Sequence, residues 1–312
     1  MPEPVTAEQF FAPKLKKQTP AFDPADHIVL FTFDDNYVDQ TINLILSIAK
    51  FHPQGVSYVC LCPPLRPEHV DLLLSLDVGL QLRCYAFHVD MASGRWVTSA
   101  VLRLFTPWLL EEEITRVLYL DSDILCTGSL QDLFDTDVPL LAMGAEISGN
   151  VSQIQQDTVR RSLPTQLYCN SGMVVFNLAA LRQQYTFAQI FDGLSALQGK
   201  VVYLDQDFLN LFFQGRITFL NPFHYNFQAY ELFHTPFYKS ALANCRLIHF
   251  SVGKPWLYKT KLPFIRLYLR HSSWPPMIRR VRKTYLLSLL YSPIRQARHL
   301  LSPIKQFLLR NR

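Results

Sequence analysis

Between residues 27 and 120, apolar runs of strand length alternate with segments of helical apolar spacing, and few architectures accommodate that pattern. Residues 27–33 form a continuous apolar run, as a strand buried on both faces does. An Asp34-Asp35-Asn36 turn ends it, and Ile42, Ile45, Leu46 and Ala49 then repeat at helical spacing over 38–51. The cycle recurs: strand 56–61, helix 67–76 with Pro67 at its start, strand 80–87, helix 97–110, strand 115–120. Such alternation predicts an α/β fold with a doubly wound, mostly parallel sheet flanked by helices.

After Asp123 the pattern loosens. Strands are expected at 140–145, 172–176 and 246–250, and helices at 151–162, 178–197 and 206–214. Residues 1–26 read as an extended lead-in, 27–256 as the main folded domain, and 257–312 as a basic amphipathic tail. Charge separates the tail from the body. Residues 232–312 carry 16 Lys and Arg and no Asp or Glu, in a chain whose net charge is only +5. Residues 278–291 run from a basic start to an apolar end, and 294–310 place apolar residues at amphipathic spacing with Pro303 kinking or restarting the helix. A basic, Leu- and Tyr-rich helical tail suits an anionic membrane surface better than nucleic acid, for which no motif is present. The N-terminus shows neither a basic n-region nor an apolar h-region, and no apolar run is long enough to span a bilayer. The six cysteines form no C-x-x-C pair and read as buried free thiols of a reducing compartment. The expected location is therefore cytoplasmic, peripheral on the inner face of the membrane.

The chemistry begins at Asp121 and Asp123, directly after the strand 115–120. Strand residues two apart share a face, so both carboxylates are expected to converge on one cation at the strand end, where open α/β sheets bind ligands. Hard oxygen donors suit Mn²⁺ or Mg²⁺, and these in turn suit a diphosphate. Asp34, Asn36 and Tyr37 end the first strand and can meet a base and ribose, or simply cap a helix. Arg103 lies alone on a mostly apolar helix and pairs with phosphate or with a buried carboxylate. Asn170-Ser171-Gly172 reads as a polar turn entering a strand. Asp205 either caps the next helix or grips sugar hydroxyls, with Gln206 facing the anomeric carbon. His249 ends an apolar strand and completes a plausible Mn²⁺ site with the two aspartates, and Lys254 follows in a Gly-Lys-Pro-Trp string.

Taken in order, six strings over residues 27–256 resemble glycosyltransferase family 8: D-D-N-Y at 34–37, S-x-x-x-R-L at 99–104, L-D-S-D-I-L at 120–125, N-S-G at 170–172, D-Q-D at 205–207 and H…G-K-P-W at 249–256. The resemblance implies a GT-A fold and a retaining, metal-dependent hexosyltransferase. It implies a UDP-hexose donor carrying glucose or galactose, and a glycan or glycolipid acceptor in bacterial cell-surface polysaccharide (lipopolysaccharide type) synthesis. It further implies that Asp121, Asp123 and His249 hold Mn²⁺ (or Mg²⁺). Asp34, Asn36 and Tyr37 would contact uracil and ribose, and Arg103 the donor sugar or its phosphate. Asn170 and Asp205 would hold the donor sugar, Gln206 would face the anomeric carbon, and Lys254 would bind the diphosphate. Gln206 and Asp205 are thus the catalytic candidates. The family pattern has Gly three residues after the His and Lys three further on. Here Gly253 directly precedes Lys254, so Lys254 alone carries over. Two other readings share the carboxylates: a phosphoryl-transfer enzyme or nuclease, which needs two metals and more clustered carboxylates, and a non-catalytic nucleotide-sugar or nucleic-acid binding protein.

Overall fold

The computed structural model describes residues 6–87, 98–145, 168–197, 200–201, 203–230, 238–257 and 260–289. Its strands are β1 (Phe11–Gln18), β2 (His27–Thr32), β3 (Val56–Cys62), β4 (Leu80–Phe87), β5 (Arg116–Leu120), β6 (Ile124–Cys126), β7 (Leu141–Ala145), β8 (Cys169–Asn177), β9 (Ile217–Leu220), β10 (Phe227–Gln228) and β11 (Leu247–His249). Eight form one sheet in the order β1-β4-β3-β2-β5-β8-β7-β9. Its centre, β4-β3-β2-β5, is parallel, as the alternating pattern predicts. Strands β1 and β8 join antiparallel, and β9 is parallel to β7.

Alternate residues of the central strands enter two separate cores. Leu30, Val59, Val117 and Tyr119 pack on one side with the helices Leu178–Gln184, Phe187–Leu197 and Leu204–Phe212. Val29, Phe31, Tyr58 and Leu118 pack on the other with the helices Val38–Ala49 and Pro67–Leu74. Burial on both faces is why these strands read as unbroken apolar runs.

Three expectations need correction. The lead-in is extended, but Phe11–Gln18 is an edge strand of the sheet, paired with β4 and irregular between Pro13 and Leu15. Its Lys14, Lys16, Lys17 and Pro13 are residues that edge strands tolerate and that mask a strand pattern. The helix expected at 97–110 is broken into Thr98–Leu102, a 3₁₀ turn Arg103–Phe105 and Thr106–Leu109, with Pro107 starting the last piece. Asn170-Ser171-Gly172 is no turn: it lies inside β8. The helix expected at 151–162 and the amphipathic segment 294–310 lie outside the described residues.

A second sheet, β10-β11-β6, carries a third core. Phe264, Ile265 and Tyr268 of the helix Leu262–His271, with Met277 and Val281 of the helix at 275–289, bury there against Phe227, Ile248, Phe250 and Trp256. Asn43 ties this region to the body, donating to the Tyr268 hydroxyl at 3.0 Å and accepting from the Ser273 and Trp274 N–H groups. The first part of the basic tail is thus built into the fold. Among the described residues no helix is long and apolar enough to cross a membrane, and all six cysteines are buried and free.

Candidate active site

Chain economy puts the two aspartates at the carboxyl end of β5. The strand ends at Leu120, and residues 121–123 form a tight turn closed by the Ile124 N–H donating to the Asp121 carbonyl at 3.1 Å. The carboxylates therefore converge through a turn, not through strand alternation. Ser122, between them, is buried, and its Oγ accepts from Thr41 Oγ1 at 2.8 Å. The next strand, β6, pairs antiparallel with β11 in a register that sets His249 opposite Ile124. This pairing brings the histidine to the turn. His249 Nε2 lies 3.0 Å from Asp123 Oδ1 and 3.8 Å from Asp121 Oδ2.

One ligand atom from each of Asp121, Asp123 and His249 lies within 4.8 Å of the others. Two hard carboxylates and an imidazole at this spacing fit one divalent cation of the Mn²⁺ or Mg²⁺ class. Among the described residues no other group of His, Cys, Asp or Glu converges in this way. Among the described residues, no second cluster of ligands offers the further metal of a phosphoryl-transfer site. Burial opposes ionisation of Asp121, yet Arg103, His249, the Tyr119 hydroxyl and Lys254 outweigh it and hold the carboxyl below the usual carboxylate range.

Around the triad opens a cleft of about 260 Å³. Eight of the predicted residues line it: Arg103, Asp121, Asp123, Asn170, Asp205, Gln206, His249 and Lys254. Buried Arg103 spans the site, 3.1 Å from Asp121 Oδ1 and 3.5 Å from Asp205 Oδ2, with Nη1 donating to the Ser171 carbonyl and the guanidinium over the Tyr119 ring. The N-terminal cap of the helix Leu204–Phe212 is not Asp205; Asp207 accepts from the Tyr203 N–H at 3.0 Å, while Asp205 accepts from Ser171 Oγ at 3.3 Å. Gln206 Oε1 accepts from the Ser171 N–H and from Asn170 Nδ2, both at 3.0 Å. Lys254 reaches Asp123, and burial pushes its ammonium down to about 8 against the pull of Asp121.

Asp34, Asn36 and Tyr37 do not line this cleft; they flank it at the end of β2, the parallel neighbour of β5. Asp34 Oδ1 accepts from the Asn36 N–H at 2.9 Å, so the turn caps its own backbone. Tyr37 packs edge-on to Trp256, and burial, with the charges of Asp121 and Asp34, raises its phenol pKa. A larger cleft of about 310 Å³ lies at the opposite ends of β2 and β5, around His27 and Arg116, and contains none of the predicted residues.

Two residues of the site carry no motif of their own: Tyr168, which lines the cleft, and Asn226, which lies behind it. Tyr168 donates to Asp207 Oδ1 at 2.6 Å and accepts from Gln206 Nε2 at 2.8 Å. Asn226 faces His249 Nδ1 at 2.8 Å. Tyr168 stands two residues before the N-S-G string and Asp207 ends the D-Q-D string; Asn226 sits in an aromatic run with nothing to mark it.

The chain is 28% identical over 192 residues to lipopolysaccharide 1,2-glucosyltransferase of Escherichia coli K12, a match covering 57% of this chain and 56% of that protein. It is 27% identical over 264 residues to general stress protein A of Bacillus subtilis, covering 77% and 91%. The crystal structure of the galactosyltransferase LgtC in complex with donor and acceptor sugar analogues superposes with a TM-score of 0.62 at 21% identity, covering 75% of this chain and 90% of that one. That likeness bears on the fold, which is the GT-A arrangement. Residues 28–260 match the profile of Glycosyl transferase family 8. With the mixed sheet, the carboxylate turn and a family match that spans most of its length, the chain belongs to glycosyl transferase family 8.

Proposed function

We propose that this protein is a retaining hexosyltransferase that moves glucose or galactose from a UDP-sugar to a hydroxyl of a glycan or glycolipid in cell-surface polysaccharide synthesis. The observation that carries the reading is the convergence of Asp121, Asp123 and His249 in one cleft with Asn170, Asp205, Gln206 and Lys254. A glucosyltransferase of lipopolysaccharide among the relatives supports the donor and acceptor classes.

Asp121, Asp123 and His249 would hold Mn²⁺ (or Mg²⁺), which when bound supplies Lewis-acid neutralisation of the departing diphosphate. Lys254, at the rim beside Asp123, adds a cation for the same charge. Arg103, in the lining of the cleft, meets the donor sugar or its phosphate while its guanidinium also holds Asp121 and Asp205. Asn170 and Asp205 present polar groups to sugar hydroxyls. Asp34, Asn36 and Tyr37 take the uracil and ribose beside the cleft. A retaining glycosidase has a carboxylate nucleophile below the sugar. Here that place falls to Gln206, whose amide is a poor nucleophile and whose Oε1 is seated by two donors. Attack on the same face, with the leaving phosphate accepting the acceptor's proton, is therefore favoured over a covalent intermediate on Asp205.

The exposed face of the tail helices carries Arg266, Arg270, Arg279, Arg282 and Lys283, with Leu286 and Leu289 beside them. Cations next to exposed leucines support peripheral attachment to an anionic lipid surface such as the cytoplasmic leaflet.

UDP release by the purified protein across a panel of UDP-sugars, with and without Mn²⁺, tests the activity. Mn²⁺-dependent hydrolysis of one UDP-hexose, abolished in the Asp121→Ala/Asp123→Ala variant, is expected. Absence of release from every donor, together with absence of Mn²⁺-dependent UDP binding, would overturn the transferase reading.

A further inference from the structure

We propose that Asn226 is a positioning residue that fixes the ring tautomer of His249, keeping Nδ1 protonated and turning Nε2 toward Asp121 and Asp123. The inference rests on the reading of those three residues as a metal site.

Backbone donors settle the orientation of every amide in the chain that leads to the histidine. The Gly172 N–H donates to the Asn170 side chain at 3.0 Å. An N–H cannot accept, so the Asn170 atom it meets is Oδ1. The Asn226 atom 3.0 Å from that same oxygen must be a donor, hence Nδ2. The other end of the Asn226 amide, facing His249 Nδ1 at 2.8 Å, is then Oδ1. An amide oxygen only accepts, so Nδ1 carries the proton. In the neutral ring Nε2 keeps the lone pair, and Nε2 is the atom 3.0 Å from Asp123 Oδ1. A hydrogen bond at the far ring nitrogen is how metal-ligating histidines are oriented, and its loss weakens metal binding.

The backbone shows that Asn226 is held in place. It is buried, and it is the one non-glycine residue with positive φ (66°) among those described. Asn enters that region more readily than most side chains, but the conformation still costs energy, and such costs collect at functional sites. Close packing surrounds the turn. A Cβ on Gly144 would come within 3.1 Å of the Tyr225 carbonyl and 3.5 Å of the Asn226 Cβ. A Cβ on Gly172 would come within 2.7 Å of His249 Nδ1. Strand β10, which follows Asn226, pairs in parallel with β11 and sets Gln228 beside His249, so backbone register brings the amide to the ring.

Two variants isolate the side chain without straining the backbone. Asn226→Gly removes the acceptor and tolerates positive φ. Asn226→Asp restores an acceptor and tolerates the same backbone. Mn²⁺ binding to the full chain, without sugar nucleotide, is measured by titration calorimetry or by the loss of the free Mn²⁺ electron-spin signal. Expected are a dissociation constant about 10- to 100-fold weaker for folded Asn226→Gly and affinity in Asn226→Asp at least equal to that of the unmodified protein, with both variants melting lower because each loses the Nδ2 donor to Asn170 Oδ1. Long-range ¹⁵N correlation spectra of the metal-free protein, at a pH where the His249 ring is neutral, should show its proton on Nδ1, and this reading decides the matter if Asn226→Gly does not fold. Unaltered Mn²⁺ affinity in folded Asn226→Gly, or a proton on Nε2, overturns the assignment to Asn226 while leaving the metal site standing. Absence of Mn²⁺ binding in the unmodified protein overturns the metal reading itself.

Discussion

Gly172 is where single-atom geometry most tightly limits the site. A methyl group there would run into the His249 ring, which is wedged between β8 and the Asn226 amide and has little room to yield. Gly172→Ala should therefore displace the imidazole, reduce Mn²⁺ affinity at least about 10-fold and lower Mn²⁺-dependent UDP release, checked by calorimetry and turnover on one preparation. Tyr168 tests the other side of the cleft. Its hydroxyl donates to buried Asp207 and accepts from Gln206 Nε2. Tyr168→Phe leaves a buried carboxylate oxygen and an amide each short of a partner, at about 1–3 kcal/mol. The expected result is a lower urea midpoint and a fall in kcat with little change in donor KM, because Gln206 loses one of the contacts that orient it. Asp121, Asp123 and Gln206 were legible because short strings carry them. Asn226 was not, because a lone asparagine among aromatics reads the same wherever its amide points.

Among the elements, the edge of the sheet gives the clearest stability prediction. Lys16 of β1 and Arg83 of β4 both contact Glu111, in the segment that precedes β5. Burial alone would raise the Glu111 carboxyl, but hydrogen bonds from Lys16, its own backbone and Arg83 pull it down to about 2. A depressed carboxyl contributes stability that is complete above its unfolded pKa of 4.5 and is lost as the pH falls toward 2. Melting temperature should fall over that window, and Glu111→Gln should flatten the fall while lowering stability at pH 7. Element type was readable where apolar period is strong, as in β2, β3 and the helix Val38–Ala49. Breaks were harder to see. The helix expected at 178–197 is two, Leu178–Gln184 and Phe187–Leu197, and a capping box starts the second: the Thr186 N–H donates to Gln189 Oε1 and the Gln189 N–H to Thr186 Oγ1. The Thr-x-x-Gln signal is present in the sequence, but continuous apolar spacing across it hides the interruption. The 3₁₀ turn at Arg103 lies four residues before Pro107, which cannot donate to the Arg103 carbonyl, while the guanidinium lies between Asp121 and Asp205.

At the scale of the whole molecule, the tail helices face two ways. Phe264, Tyr268, Met277 and Val281 complete the third core, while the cations point outward. Phe264 also packs against Gly253, whose φ of 76° leaves no room for a side chain facing that ring. Phe264→Ala should cost about 3–5 kcal/mol, read as a lower melting temperature. Reversing Arg279, Arg282 and Lys283 to Glu should leave UDP-sugar hydrolysis unchanged and abolish flotation with phosphatidylglycerol vesicles, with raised salt weakening the unmodified protein in the same assay. Retained flotation would remove this face from membrane attachment. The sequence by itself determined the layered α/β core, the carboxylate pair at the end of β5 and the charge divide, because apolar period, turn residues and charge are local properties of the chain. Only the tertiary structure decided that His249, more than a hundred residues beyond Asp123, meets it through the β6–β11 pairing, that β1 closes the sheet edge, and that an asparagine in a left-handed turn sets the histidine's proton. Those relations depend on strand register and on the direction of single hydrogen bonds, which exist only once distant segments are packed together.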